Sequence, residues 1–239
     1  MPRIVRDYER VAQGMGVRDA LYARYTCRDF KPDAVPLETV EKILEAGVRA
    51  PSTANTQPWE IYVAAGEVLN RIRGAFRLNH QKNVAPHPDY PLAHQWPAAL
   101  QKRREEIMAL HQKQAGPHPG EATEAREHWA RNFEFFGAPV VIYLCMNKGL
   151  SFWSVFDMGL LSQSLMLEAK EQGLDTAPAL MLVAYPEAIR AELGIPENLS
   201  VVFGIALGYG SEQSRPRDFQ SPRRPLPEVA RFSGFGEKP

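Results

Sequence analysis

Three short segments of the chain carry cationic, hydroxyl and amide side chains at spacings that could hold a phosphorylated ligand. In the first, Arg24, Thr26 and Arg28 alternate where a predicted helix gives way to a polar loop. Side chains at such a junction can converge on an anion, and the planar guanidinium group matches a phosphate in bidentate geometry. Taken alone, this short motif is more typical of a solvated basic loop.

The other two segments lie further along the chain. Residues 51–58 read PSTANTQP and precede an aromatic and β-branched run, so a loop with Ser52, Asn55 and Gln57 opens onto a predicted strand. Arg223 and Arg224 lie in the proline-rich sequence SPRRPL. The ordinary alternatives are a turn capped by Asn or Ser for the loop, and an exposed, solvated tail for the arginines.

The elements that must position these side chains follow from hydrophobic periodicity and from prolines and glycines. The sequence predicts helices over 5–13, 17–23, 37–49, 67–76, 96–114, 122–135, 153–172 and 187–193, and strands over 59–64, 139–146, 180–184 and 201–207. Apolar residues surround nearly the whole circumference of the helix 153–172, which is typical of a central helix or of a subunit interface. This element order predicts an α+β protein with a central mixed or antiparallel sheet flanked by helices.

The segment 84–97 holds four prolines, which exclude a continuous helix or a central strand. It is interpreted as an ordered lid or a mobile loop, and 77–135 as a lid and helical excursion from a single domain that spans residues 1–239. Loops on a rigid scaffold often carry specificity, so Tyr90 and Trp96 are the candidate substrate contacts.

Composition limits the partners. The 28 basic and 28 acidic side chains cancel, so no net charge attracts nucleic acid or an anionic membrane. No membrane-spanning run or secretory leader is apparent, and a cytoplasmic location is expected. Cys27 and Cys145 suggest neither a disulfide framework nor a zinc site, and the prolines and glycines among the spaced histidines argue against a shared ligand face, so no metal is expected.

Together, the ordered segments resemble the FMN-dependent nitroreductase family, and within it the branch of the nitrobenzoate reductases. The resemblance covers nearly the whole chain and includes RYTCR, PSTANTQPW, NFEFFGAPVVIYL, GLLSQSLMLEAKEQGLDTAP, ELGIPENLSVVFGIALGYG and SPRRPL. It implies a nitroreductase-like fold and an intertwined homodimer with FMN at the interface.

The resemblance also implies residue roles. Arg24, Thr26 and Arg223 would hold the phosphate and ribityl chain, Arg28 would approach the pyrimidine end of the flavin, and backbone amides within 176–181 would pass near N5 and O4. The full cofactor-binding set is Arg24, Tyr25, Thr26, Arg28, Ser52, Asn55, Gln57, Pro178, Ala179, Leu180, Met181, Arg223 and Arg224. Because reduced FMN is anionic at N1 and O2, a permanent cation at Arg28 would stabilise it.

The implied activity is reduction of nitroaromatic or related electron-poor substrates by a ping-pong mechanism. NADH or NADPH would deliver hydride to flavin N5, so no side chain is assigned as the catalytic group. The glycine pairs near residues 14 and 208 lack the offsets of a dinucleotide fingerprint, which argues against a separate nucleotide site. Reductive dehalogenation, flavin or quinone reduction, a non-catalytic FMN-binding module, and an interaction protein built on the charged helices 96–135 remain alternatives.

Overall fold

The computed structural model of the protein describes residues 14–93, 95–115, 129–212 and 221–235. The predicted helix 5–13 and the first half of the predicted helix 122–135 lie outside these ranges. Within them, no helix is both long enough and apolar enough to cross a membrane.

The strands of the described ranges form one antiparallel sheet in the order β1-β2-β4-β3. They are β1 (Glu60–Ala65), β2 (Val140–Asn147), β3 (Asp175–Pro178) and β4 (Leu199–Gly208). The predicted α+β fold with a central sheet is therefore confirmed, and the ladders between the strands are antiparallel rather than mixed.

Helices pack on both faces of this sheet. The helices of the described ranges are α1 (Val17–Ala23), α2 (Leu37–Gly47), α3 (Gly66–Gln81), α4 (Ala98–Ala115), α5 (Phe152–Glu171), α6 (Pro186–Leu193) and the single turn α7 (Leu226–Val229). Short 3-10 helices cover Thr53–Asn55, Phe135–Gly137 and Leu180–Val183.

Strand β2 divides the core into two layers because successive side chains of a strand point to opposite faces. Val141, Tyr143 and Cys145 face a layer formed with α3, α6 and the 3-10 helix Leu180–Val183. Ile142 and Leu144 face the other layer, formed with α2 and α5. With both faces covered, the strand is apolar almost throughout, which is why its sequence does not alternate.

Helix α5 is the longest element of the second layer. Its buried face includes Leu161 and Leu165, and Leu165 lies so close to α2 that a β-carbon on Gly47 would stand 2.2 Å from Leu165 Cδ2. The sequence predicted apolar residues around nearly the whole helix. In the single chain its first turns expose Phe152, Trp153 and Phe156.

Two element predictions were wrong. Residues Leu180–Val183 form a 3-10 helix, and the strand lies earlier, at Asp175–Pro178. A short buried apolar run has the same composition as a strand or as a helix, so periodicity does not distinguish the two. Here Leu182 packs directly over Gly204 of β4. The helix predicted to end at residue 135 instead stops after Ala130 and gives way to a turn and the 3-10 helix Phe135–Gly137.

The proline-rich segment is ordered along its first half. Tyr185 donates its hydroxyl hydrogen bond to the Val84 carbonyl at 2.8 Å, and the His87 amide donates to the Ala184 carbonyl at 2.9 Å. Asp89 then pairs with Arg190 at 2.6 Å. These contacts fix residues 84–89 on α6 and the turn before it. By contrast, no residue of 98–110 in α4 is buried.

Candidate functional site

The segment 24–30, called the cation segment below, meets the open edge of β3 at Thr26 and bridges Gly210, beyond β4, at Phe30. Thr26 bridges Thr176 in parallel orientation, and the Cys27 amide donates to the Thr176 carbonyl at 2.9 Å. Alternate residues of an extended segment share a face. The buried Cys27 and the half-buried Tyr25 therefore lie on one side, and Arg24, Thr26 and Arg28 share the opposite side, as a common ligand would require.

Tyr25 anchors this segment from the protein side. Its hydroxyl donates to Asp175 Oδ2 at 3.2 Å, while Lys170 Nζ pairs with Asp175 Oδ1 at 2.9 Å. Lys170 also lies over the Tyr25 ring, 5.6 Å from its centroid. Neither Lys170 nor Asp175 was among the residues chosen from the sequence. No local pattern marks their contacts with Tyr25, which lies far earlier in the chain.

Arg24 lies within electrostatic range of Arg223, and the two are called the cation pair below. Burial, and secondly the charge of Arg223, lowers the pKa of the Arg24 guanidinium. The buried Arg24 Nε has no hydrogen-bond partner within the described ranges. Arg223 is exposed and its Nη1 donates to the Ser221 carbonyl and hydroxyl oxygens, both at 2.7 Å. The cation pair thus places two like charges near each other.

Arg28 and Arg224 complete the set of cations chosen from the sequence. Desolvation by the surrounding protein atoms lowers the pKa of the Arg28 guanidinium, although part of the side chain reaches solvent. Its carbonyl accepts a hydrogen bond from Arg131 Nη2 at 3.0 Å, and Arg131 also pairs with Asp29 at 2.6 Å. Arg224 instead bonds Glu228 of its own turn.

The loop 51–58 has an unusual backbone. Ala54, Asn55 and Gln57 all adopt positive φ, at 49°, 56° and 47°. The Gln57 amide donates to Ser52 Oγ at 3.0 Å, and the Gln57 side-chain amide donates to the Asn55 carbonyl at 3.4 Å. These bonds close the loop on itself and leave Asn55 at its exposed tip.

Asp157 of α5 holds the same loop from outside. The Thr53 amide donates to both carboxylate oxygens, at 3.3 Å and 3.2 Å, and the Asp157 side chain is buried. The sequence analysis missed this residue. The available signal was a single carboxylate in the apolar run of the helix, which hydrophobic periodicity treats as an interruption.

Helix α5 separates the two groups of candidate residues within one chain. Asp157 holds the loop 51–58, and Lys170, thirteen residues later, holds Asp175 and Tyr25. At about 1.5 Å of rise per residue, these anchors lie about 20 Å apart along the helix axis. The single chain does not assemble all predicted site residues at one point.

The residues chosen from 178–181 lie where β3 turns into a 3-10 helix. Pro178 has no N–H, and the Ala179 amide donates to the Gly204 carbonyl at 3.3 Å. Leu180 and Met181 begin the 3-10 helix, and the first N–H groups of a helix have no acceptor within it. Within residues 178–181, the backbone amides of Leu180 and Met181 are therefore the better donors to a ligand.

The two candidate substrate residues differ in their surroundings. Tyr90 is half-buried against the core layer of α2 and α5, and burial raises the pKa of its phenol. Trp96 is exposed just before α4, and the Arg104 guanidinium lies over its ring, 5.1 Å from the centroid. Within the described ranges, neither side chain forms a hydrogen bond, ion pair or ring contact with Arg24 or Arg223.

A cavity of about 330 Å³ lies beside the first turns of α3, lined in part by Val35, Leu69, Arg73 and Pro139. None of the predicted site residues lines it. Arg73 is committed there, since its Nε and Nη2 donate to the carbonyls of Glu134 and Ala138. Over the described ranges, no group of three or more His, Cys, Asp or Glu side chains could hold a metal ion; His94 and His118 lie outside them.

Comparison with known proteins adds to this geometry. A model of the Nitroreductase family matches residues 21–209. The chain is 30% identical to 4-nitrobenzoate reductase of Pseudomonas putida over 221 residues, 91% of this chain and 96% of the relative. It is 31% identical to chloronitrobenzene nitroreductase of Comamonas testosteroni over 220 residues, 90% and 96% of the two chains. Its fold is similar to the crystal structure of the FMN-dependent nitroreductase NfnB from Mycobacterium smegmatis in complex with NADPH, with a TM-score of 0.84, 30% identity, and coverage of 90% and 97%.

Proposed function

Because the chain belongs to the nitroreductase family, we propose that it is an oxidoreductase that holds FMN and uses NADH or NADPH to reduce nitroaromatic or related electron-poor substrates. The structural observation that carries the proposal is the cation pair of Arg24 and Arg223. When bound, FMN supplies the atom that accepts and donates hydride, and the chain supplies binding, orientation and charge.

The donor set at the cation pair fits a phosphate. Two guanidinium groups held together repel each other, and a buried donor without a partner has lost its water without compensation. A phosphate between Arg24 and Arg223 would satisfy the Arg24 Nε, offset the repulsion, and accept charge-assisted hydrogen bonds from both side chains. Thr26, on the same face of the extended segment, would donate its hydroxyl to the ribityl chain.

Arg28 is proposed to serve the pyrimidine end of the flavin. It lies four residues after Arg24, on the same face of the segment. Its backbone carbonyl is held by a hydrogen bond from Arg131. A guanidinium group stays charged even where burial lowers its pKa. It would therefore stabilise the additional negative charge of the reduced cofactor and orient it, while the amides of Leu180 and Met181 face the N5 edge.

The separation along α5 supports a site built by two subunits. Asp157, which holds the loop with Ser52, Asn55 and Gln57, lies about 20 Å along α5 from Lys170, which holds the cation segment 24–30 through Asp175. We therefore assign the three loop residues to the flavin of the partner subunit. Each cofactor would take its phosphate cations from one chain and the loop 51–58 from the other.

The exposed apolar surface supports the same homodimer. Phe152, Trp153 and Phe156 are 73%, 65% and 55% exposed at the start of α5, and Phe232 and Phe235 are exposed in the C-terminal segment. Monomeric proteins rarely expose aromatic side chains in such a group, whereas obligate dimers bury them. A second copy of this chain is the proposed cover.

The substrate contacts stay assigned to Tyr90 and Trp96. A flat, exposed indole with a guanidinium group over it offers both stacking and positive charge to an electron-poor aromatic ring. Since the described ranges contain no dinucleotide-binding fingerprint for a separate nicotinamide site, the nicotinamide and the acceptor would occupy the same flavin face in turn.

The decisive experiment is to purify the protein and record its flavin spectrum, its mass in solution, and its oxidation of NADH and NADPH with 4-nitrobenzoate, a quinone and a halotyrosine in parallel. We expect stoichiometric FMN, a particle of twice 26.9 kDa, and parallel double-reciprocal plots with the nitro compound. A colourless protein that does not bind added FMN would refute the proposal. Flavin that NAD(P)H fails to bleach would indicate a non-catalytic module instead.

A further inference from the structure

Building on the proposed FMN site, we propose that Asp157 is a positioning residue whose buried carboxylate holds the loop 51–58 in the conformation that the cofactor recognises. Asp157 itself does not touch the cofactor in this proposal. It acts through the Thr53 amide, and through it on the residues at the tip of the loop.

The loop needs such a support because its backbone is strained. Ala54, Asn55 and Gln57 all lie in the left-handed region, which crowds the β-carbon of an L-residue against the following carbonyl. Three residues with positive φ within four positions make this loop conformation unfavourable, so contacts elsewhere must stabilise it. The hydrogen bond from the Gln57 amide to Ser52 Oγ closes the loop but does not fix it to the body of the protein.

Asp157 provides the connection to the body. Its carboxylate receives the Thr53 amide from a segment 104 residues earlier in the chain, and both oxygens lie within 3.3 Å of that nitrogen. Thr53 is the first residue of the 3-10 helix, where the amide has no acceptor inside the helix. The bond therefore supplies the acceptor that the helix start lacks, and it fixes the position of the loop relative to α5.

A structural role alone does not explain a carboxylate at this position. The other buried side chains of α5 are apolar, and Asp157 is only 2% exposed. Within the described ranges no cation forms an ion pair with it, so its burial is costly. An apolar residue would fill the space without that cost. A buried acceptor becomes useful if the loop must be held in one arrangement before the ligand arrives, because preorganisation removes the ordering cost from binding.

The first test compares Asp157→Ala with the isosteric Asp157→Asn in the full chain. Asparagine keeps one oxygen acceptor for the Thr53 amide, and alanine keeps none. We expect Asp157→Ala to raise the FMN dissociation constant about tenfold or more, measured by flavin fluorescence quenching on apoprotein, and Asp157→Asn to stay within about threefold of the wild type. Apoprotein melting temperatures are recorded beside it, because the positioning role predicts weaker FMN binding with little change in melting temperature, whereas a merely structural role would lower the melting temperature of Asp157→Ala.

The second test removes the donor and leaves Asp157 untouched. Thr53→Pro deletes the N–H, and the site tolerates proline because Thr53 begins a helix and Ser52 is extended, with φ −143° and ψ 156°. Thr53→Ala is the matched control, since it keeps the amide. We expect Thr53→Pro to weaken FMN binding as Asp157→Ala does, the double variant to bind no more weakly than either single variant, and Thr53→Ala to behave as the wild type.

The outcomes separate this inference from the proposed function. A wild-type protein that binds no FMN refutes both. A wild-type protein that binds FMN, with Asp157→Ala or Thr53→Pro binding it equally well, leaves the function intact and overturns the positioning role. Asp157→Asn as weak as Asp157→Ala also overturns it, because the acceptor geometry would then not be what matters.

Discussion

Tyr25 and Asp175, 150 residues apart in the chain, meet in a hydrogen bond of 3.2 Å in which the phenol donates to the carboxylate. The bond fastens the cation segment to β3 on the side opposite Arg24 and Thr26. Replacing Tyr25 by Phe should therefore lower the free energy of unfolding by about 1 kcal/mol, measured by urea denaturation. The FMN dissociation constant should change less than about threefold; a much larger increase would mean that the hydroxyl itself contacts the flavin.

Arg24 should be the cation whose loss affects FMN binding most. Charge-assisted hydrogen bonds to a phosphate contribute about 1.5–3 kcal/mol, so Arg24→Ala should raise the FMN dissociation constant about 10- to 100-fold. The apoprotein should lose little stability, because the variant also removes the repulsion from Arg223. Arg71→Ala, which breaks an exposed pair with Glu192, is the control and should bind FMN normally. Equal FMN affinity in both variants would place the phosphate elsewhere.

Arg28 is expected to act on the flavin potential more than on binding. A cation near N1 and O2 stabilises the reduced cofactor, so Arg28→Ala should lower the midpoint potential by about 30 mV or more, equivalent to about 1.4 kcal/mol for two electrons. Arg28→Lys keeps the charge and should recover part of the potential. Spectroelectrochemical titration of the three holoproteins measures this, and a potential unchanged in Arg28→Ala would contradict the assignment.

The ion pair of Asp89 and Arg190 should dominate the attachment of the proline-rich segment. Asp89 accepts from Arg190 Nη2 and from the Val201 amide, both at 2.6 Å, and the two side chains are only 16% and 10% exposed. Removing one partner of a buried pair leaves the other uncompensated, so Asp89→Ala should lower the unfolding free energy by about 3 kcal/mol or more. Asp33→Ala, at an exposed position, should change it by less than about 0.5 kcal/mol.

His87 gives the fold a small pH dependence. The hydrogen bond to the Ala85 carbonyl, aided by Glu187 and opposed by desolvation, raises the pKa of His87 above 6.5. Its stabilising contribution is therefore complete below about pH 6.5 and is lost as the pH rises through the higher folded value. Because the ring is half exposed, the effect on stability should be small. An NMR titration should show the raised pKa, and Glu187→Gln should lower it; a pKa at or below 6.5 in the wild type would show that these contacts do not hold in solution.

Local sequence was sufficient for much of the scaffold. Strands β1, β2 and β4 and helices α1, α2, α3 and α5 begin close to where periodicity and prolines placed them, because the period of apolar residues is a local property. The family resemblance assigned Arg24 and Arg223 to one phosphate site. In the structure the charge of Arg223 acts on Arg24, and the assignment itself stays a prediction.

Tertiary structure decided what no local pattern encodes. Leu180–Val183 is a 3-10 helix because it packs on Gly204, and the direction of Tyr25 depends on Asp175. The support of the loop by Asp157 likewise joins residues 104 positions apart. The sequence by itself predicted which side chains would bind a phosphorylated flavin. Only the folded chain determined which of them face one another, since contacts between distant residues exist only once the core has brought their elements together.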